Sequence, residues 1–158
     1  NERDGSVEVD ETLQTSDLDV YAAGDIAHYA TPDGRERIEH WRTAQQHGIV
    51  AARNLLGAGE DVNQRVPFFW TNQWGIKLRY VGHATEWDEI IYRGDPAEQQ
   101  FIAFYVRGGK LKAAAGMGYD RDMDALEFIL KDGMALTPDE MRDPDYDLVT
   151  FAVSGAVV

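Results

Sequence analysis

Cysteine is missing from all 158 residues, which excludes a disulfide, a thiolate metal site and a redox-active dithiol within them. Such a composition suits a reducing compartment, and a cytoplasmic setting is the expectation. No apolar run approaches the roughly 20 residues that a bilayer-crossing helix needs. Positive charge is scarce as well. Fifteen Lys and Arg stand against 28 Asp and Glu, a formal net charge of −13, so phosphate-mediated binding to nucleic acid is not expected. The opening Asn1-Glu2-Arg3-Asp4-Gly5 has neither an initiator Met nor a charged-then-apolar targeting pattern; it reads as a cut inside a longer protein. Internal repeats and low-complexity tracts are also lacking.

With 44% hydrophobic and 11% aromatic residues, the chain can build a real core. Its acids are unevenly placed: residues 1–64 and 120–158 are acid-rich, while residues 65–119 hold slightly more bases than acids. This distribution serves solubility or salt adaptation, or it makes the middle third a docking face for an acidic partner.

Val7 and Val9 alternate with polar residues, and Leu13 begins a second short extended piece. Residues 18–23 read as a buried strand closed by Gly24-Asp25, and residues 31–36 as a loop. From Ile38 to Leu56 apolar and small residues recur at helical steps (Trp41, Ala44, Gly48, Ala51, Ala52, Leu55), with Gly57 and Gly59 as the stop. A face made mostly of Ala and Gly suggests close approach of backbone or a flat ligand. Residues 57–65 form a polar connector. Antiparallel strands are predicted over 77–82, 89–93, 100–107 and 110–117, the last two joined through Gly108-Gly109. Asp120 is placed as the cap of a helix with Met123, Leu126, Ile129 and Leu130 on one face, ended by Gly133. Thr137-Pro138-Asp139-Glu140 has the form of a capping box. The stretch 149–158 is read as strand, packed coil or frayed end. Strands followed by helices define an α+β unit.

Metal binding is not expected. His40 and His47 are seven residues apart, too far for a two-ligand helical site, and His28 and His83 stand alone. Asp120, Asp122 and Asp124 alternate like the start of a calcium loop, but Ala125 and Lys131 occupy the positions where Gly and Glu are needed. Gly57-Ala58-Gly59 follows a helix, so it is no phosphate loop.

Val20-Tyr21-Ala22-Ala23-Gly24-Asp25 brings a glycine and a carboxylate to one end of an apolar segment. Gly admits a ligand against the backbone and Asp accepts hydrogen bonds from polyol hydroxyls, although the same pattern also makes ordinary turns. The tract Thr15–Ala27 resembles the late FAD-binding motif of flavoproteins with two dinucleotide domains. Arg37-Ile38-Glu39-His40-Trp41-Arg42-Thr43-Ala44 is similar to the Glu-x-Trp-x-x-Ala element of ferredoxin reductases, and its Glu-His to the apoptosis-inducing-factor branch. Val66-Pro67-Phe68-Phe69-Trp70-Thr71 resembles the Pro-x-Phe-Trp-Ser/Thr element that opens their C-terminal domain. The match continues through Gly82 and Arg93-Gly94-Asp95, so that residues 7–147 look like part of a putidaredoxin reductase or apoptosis-inducing-factor type protein. Thr43 departs from the Asn common in the bacterial members.

The resemblance implies an α+β fold, an antiparallel sheet with C-terminal helices, preceded by the last strand–helix segment of an FAD-binding α/β domain. It implies residues 1–64 as the end of the FAD domain, 65–147 as the reductase C-terminal domain and 148–158 as a tail. Gly24, Asp25, Glu39, His40, Trp41, Ala44 and Trp70 are the implied cofactor-binding residues. Asp25 would bind the ribityl chain, the helix near Glu39–Trp41 would face the flavin, and Trp70 would line the nicotinamide side. The residues alone leave other roles open: Trp41 and Trp70 as core aromatics, Glu39 as a first-turn acid stabilised by the helix dipole. The implied parent moves a hydride from NAD(P)H to FAD and electrons to a ferredoxin or Rieske-type iron–sulfur protein. Both glycine-rich dinucleotide fingerprints are absent, so the segment alone is expected to be inactive. Lys77, Arg79, Arg93, Arg107, Lys110 and Lys112 are the candidate docking surface. The alternative is an apoptosis-inducing-factor-like interaction or dimerisation module, and homodimerisation is left open.

Overall fold

The computed structural model describes residues 4–32 and 34–155. The chain divides into two compact units, Asn1–Arg65 and Val66–Val158. No helix among the described residues is long and apolar enough to cross a membrane.

The first unit holds strands β1 (Val7–Val9), β2 (Ala27–Thr31) and β3 (Gly34–Glu36) and helix α1 (Trp41–Leu55). β1 pairs parallel to β2, and β2 pairs antiparallel to β3. Val9, Leu13, Ala27 and Tyr29 pack with Val50 and Ala51 of α1. The helix stops as its glycines foretell. Gly57 takes φ 87°; its N–H bonds the Asn54 carbonyl and that of Ala58 the Arg53 carbonyl, a Schellman ending. Asn54 then ties the end down, donating to the carbonyls of Thr12 and Glu60 and accepting from the Glu60 N–H.

Three sequence expectations fail in this unit. Residues 18–23 do not form a buried strand: Leu18 is 74% exposed, and only the bridge Gln14–Tyr21 remains. Thr15 Oγ1 accepts from the Asp17 N–H, and the Asp17 carboxylate from the Asp19 N–H, so local turn bonds displace the ladder. The strand lies beyond Gly24-Asp25, as β2. Of residues 31–36, expected to be a loop, Thr31 instead ends β2 and Gly34–Glu36 pair with it as β3, Asp33 lying outside the described residues. Helix α1 begins at Trp41 and buries Thr43, His47, Val50, Ala51 and Asn54, leaving Trp41 and Leu55 exposed.

The second unit is a five-stranded antiparallel sheet in the order β4-β5-β8-β7-β6. Its strands are β4 (Phe68–Gln73), β5 (Ile76–Gly82), β6 (Glu89–Asp95), β7 (Gln100–Arg107) and β8 (Lys110–Met117). Helices α2 (Asp120–Lys131), α3 (Pro138–Arg142) and α4 (Leu148–Gly155) follow. Ile91, Ile102, Phe104 and Ala114 meet Met123, Leu126, Ile129, Met141, Leu148 and Ala152 in one core. Each fully buried aliphatic side chain there stabilises by roughly 1.5–3 kcal/mol. This is the α+β arrangement expected, an antiparallel sheet with helices after it. β4 was missed, and it hairpins to β5 through Trp74 (φ 52°) and Gly75 (φ 80°), the left-handed pair that such two-residue turns require.

The helices differ from expectation in two places. Asp120 is the first helical residue and Tyr119 the N-cap, without a side-chain bond; the Asp120 carboxylate instead pairs with Lys77 and Arg79. The stretch read as strand, coil or frayed end is α4 as far as Gly155, with residues 156–158 outside the described ones. Asp147 starts it by accepting from the N–H groups of Val149 and Thr150.

Candidate functional site

The turn Gly24–Ile26 and the opening of α1 lie against each other. Ala23 is extended (φ −139°, ψ 153°); Gly24 then switches to φ +79° while buried, a reversal that glycine makes without a Cβ penalty. A Cβ on Gly24 would stand 3.1 Å from the Ala44 Cβ, so two small residues let the turn press on the helix. Two further bonds lock it. The Gly24 N–H donates to His47 Nδ1 at 3.3 Å, and Arg37 Nε donates to the Asp25 carbonyl at 2.7 Å. The Asp25 side chain is left at the surface.

Arg37 also pairs with Glu39, Nη2 to Oε1 at 2.7 Å. One guanidinium therefore holds the turn's backbone and the carboxylate before the helix. Glu39 is not a first-turn acid: His40, extended at φ −149°, is the N-cap and accepts from the Arg42 N–H. The first turn of α1 contains no acid, so no carboxylate within it offsets the positive end of the helix dipole. Burial lowers the His40 imidazole's proton affinity, as does Arg42, against the opposing pull of Asp25. Trp41 is 57% exposed with its ring tilted to that of His40; it is not a core aromatic.

Gly24, Asp25, Glu39, His40, Trp41 and Ala44 thus converge on one turn and one helix start. Sequence reasoning missed Arg37 and His47 as parts of this arrangement. The signal for Arg37 was its place beside Glu39; His47 carried none, because a polar residue on a buried helix face breaks the apolar period. Trp70 belongs to the second unit, on β4 opposite Arg79, and is 46% exposed.

The proposed basic docking surface is largely neutralised. Arg93 is buried, Lys77 and Arg79 pair with Asp120, Arg79 also with Asp124, and Arg107 with Glu86. Among the described residues no group of three or more His, Asp or Glu is placed to hold a metal ion.

A glycine–aspartate turn on a helix start lies in one unit and a helix-backed antiparallel sheet in the other, and comparison with known proteins gives the class. The family model for the reductase C-terminal domain matches residues 68–152, and that for pyridine nucleotide-disulphide oxidoreductases matches residues 1–48. The chain belongs to the reductase C-terminal family. It is 36% identical over 141 residues to apoptosis-inducing factor 3 of Homo sapiens, covering 87% of this chain and 23% of that protein. It is 34% identical over 151 residues to the ferredoxin–NAD(+) reductase component of the anthranilate 1,2-dioxygenase system of Burkholderia cepacia, covering 94% and 37%. Among solved structures, a ferredoxin reductase from Rhodopseudomonas palustris superposes with TM-score 0.86 at 30% identity, over 93% of this chain and 37% of that one. Putidaredoxin reductase in its covalent complex with putidaredoxin gives 0.87 at 26%, over 97% and 37%. The chain spans between about a quarter and somewhat over a third of these curated relatives' length.

Proposed function

We propose that this chain is the C-terminal part of a flavoprotein oxidoreductase that oxidises NAD(P)H and passes electrons to a ferredoxin or Rieske-type iron–sulfur protein. FAD, when bound, supplies hydride acceptance and single-electron release. Residues 1–64 are assigned to the end of the FAD domain and 65–147 to the reductase C-terminal domain. The observation that carries the reading is the Gly24–Asp25 turn pressed on the start of α1.

The residues suit such a cofactor. Asp25 offers a surface carboxylate to polyol hydroxyls. The start of α1, whose first turn carries no acid, presents the positive end of the helix dipole to an electron-rich acceptor group. Trp41 offers an exposed ring face and Ala44 the small contact. Glu39, held by Arg37, can accept from a carboxamide. For Trp70 the support is its exposed indole and the family resemblance. The iron–sulfur partner is supported by relatives named as ferredoxin–NAD(+) reductase components and by the putidaredoxin complex.

Purification of the intact protein tests the reading. Bound flavin that NADH bleaches, together with reduction of an added ferredoxin, is the expected result. A colourless, stable dimer without electron transfer would instead establish an interaction module.

A further inference from the structure

Helix α1 turns a histidine into the core of the first unit. His47 is 2% exposed, and its ring meets Tyr29 edge-on, 5.1 Å between centroids at 84°. Its Nδ1 accepts the Gly24 N–H at the residue where the chain leaves the extended form for φ +79°. That bond therefore sets where the turn begins. An acceptor nitrogen is unprotonated; an imidazolium would place donor against donor in a site closed to water.

We propose that His47 is a positioning residue: from inside the core it holds the Gly24–Asp25 turn on α1, and its protonation releases the turn, so that the turn's grip on a cofactor weakens in acid. The cofactor part of this rests on the flavoprotein reading above; the hold on the turn does not.

Burial alone keeps the imidazole neutral, its pKa lowered to about 4. Titratable groups on the packed elements are Tyr29 on β2, its hydroxyl donating to Glu36 on β3, its neighbour His28 on β2 opposite Glu8 of β1, and Asp25 in the turn. His40 is the N-cap of the same helix, which carries Arg42 and Arg53. His40, which too accepts a backbone N–H, and His28 on β2 are the competing acid-sensitive groups.

The test compares the intact protein with its His47→Gln and His47→Leu variants from neutral pH down to about 5. It reads hydrogen exchange over the segment containing Gly24 and Asp25, each rate divided by the unstructured-chain rate at the same pH, and FAD release as flavin fluorescence. Leu removes the acceptor, so exchange at Gly24 should rise roughly tenfold at neutral pH, as one unpaired buried donor implies, with faster FAD release. Gln keeps an acceptor oxygen; both rates should stay near wild type at neutral pH while their rise in acid flattens. Wild-type exchange in the Leu variant, or an undiminished acid rise in the Gln variant, overturns the proposal, the latter assigning the response to His40, His28 or a carboxylate. Should Leu prevent folding, the acid response of the Gln variant decides. A protein that shows the exchange changes but holds no FAD refutes the flavoprotein reading and leaves the role of His47 intact.

Discussion

Gly24 and Ala44 meet with no room between them: a methyl group on Gly24 would lie 3.1 Å from the Ala44 Cβ. Gly24→Ala is therefore strained twice, by contact and by its left-handed backbone. The expected loss is about 1–3 kcal/mol, read by urea unfolding. FAD retention should fall with it, since the turn must move off the helix.

In the second unit Arg93 plays the part of a buried clamp. Its guanidinium donates to the carbonyls of Met141, Tyr146 and Glu140 and lies over the Phe104 ring. Met in its place fills the volume and leaves those acceptors unpaired. Arg93→Met should cost about 3 kcal/mol or more, and Arg93→Lys should rescue little, because an ammonium cannot span a fork of acceptors. Denaturation midpoints of both variants check this.

The start of α3 is a capping box: Thr137 Oγ1 accepts from the Glu140 N–H, and the Glu140 carboxylate takes the Thr137 N–H and hydroxyl. Thr137→Ala should cost about 1 kcal/mol. The bonds from Thr137 hold the Glu140 carboxyl below its ordinary pKa. Its contribution is therefore present above the usual carboxylate range and is lost as pH falls through the lowered value. Stability curves in acid should be flatter for Glu140→Gln than for the native protein.

Two glycines with similar φ give a graded comparison. Gly82 (φ 80°) would place a Cβ 2.3 Å from the Lys112 carbonyl oxygen, whereas Gly109 (φ 73°) faces open space. Gly109→Ala should lose about 1 kcal/mol to backbone strain; Gly82→Ala should lose clearly more, because β5 and β8 must part. Thermal melts of the pair separate strain from collision.

Strands β5 to β8 of the second unit were legible, though β4 was not, because β-branched and aromatic runs there are bounded by true turn residues, Gly108-Gly109 above all. Thr137-Pro138 announced α3 for the same reason. The first unit was harder. Its Leu18–Ala23 run has strand composition but no strand beside it to pair along its length, and β3 hides in Gly34-Arg35-Glu36, a string of turn formers. Helix α1 was found, but its buried face was misassigned, since Thr43, His47 and Asn54 point inward where apolar residues were sought. Asp25, Glu39 and Ala44 were legible as motif members. Their coupling through Arg37 was not, because spacing cannot show that one guanidinium reaches both the Asp25 carbonyl and the Glu39 carboxylate.

The central claim is that the Gly24–Asp25 turn on α1 holds FAD. Asp25→Ala removes a surface carboxylate that takes no part in the core, so folding should be unchanged. The most direct measurement is the FAD content and FAD dissociation constant of the intact protein and this variant. The account predicts stoichiometric flavin in the native protein and at least about tenfold weaker binding in the variant, the effect of losing charge-assisted hydrogen bonds. Equal FAD affinity in the two proteins, or no flavin in either, would contradict it.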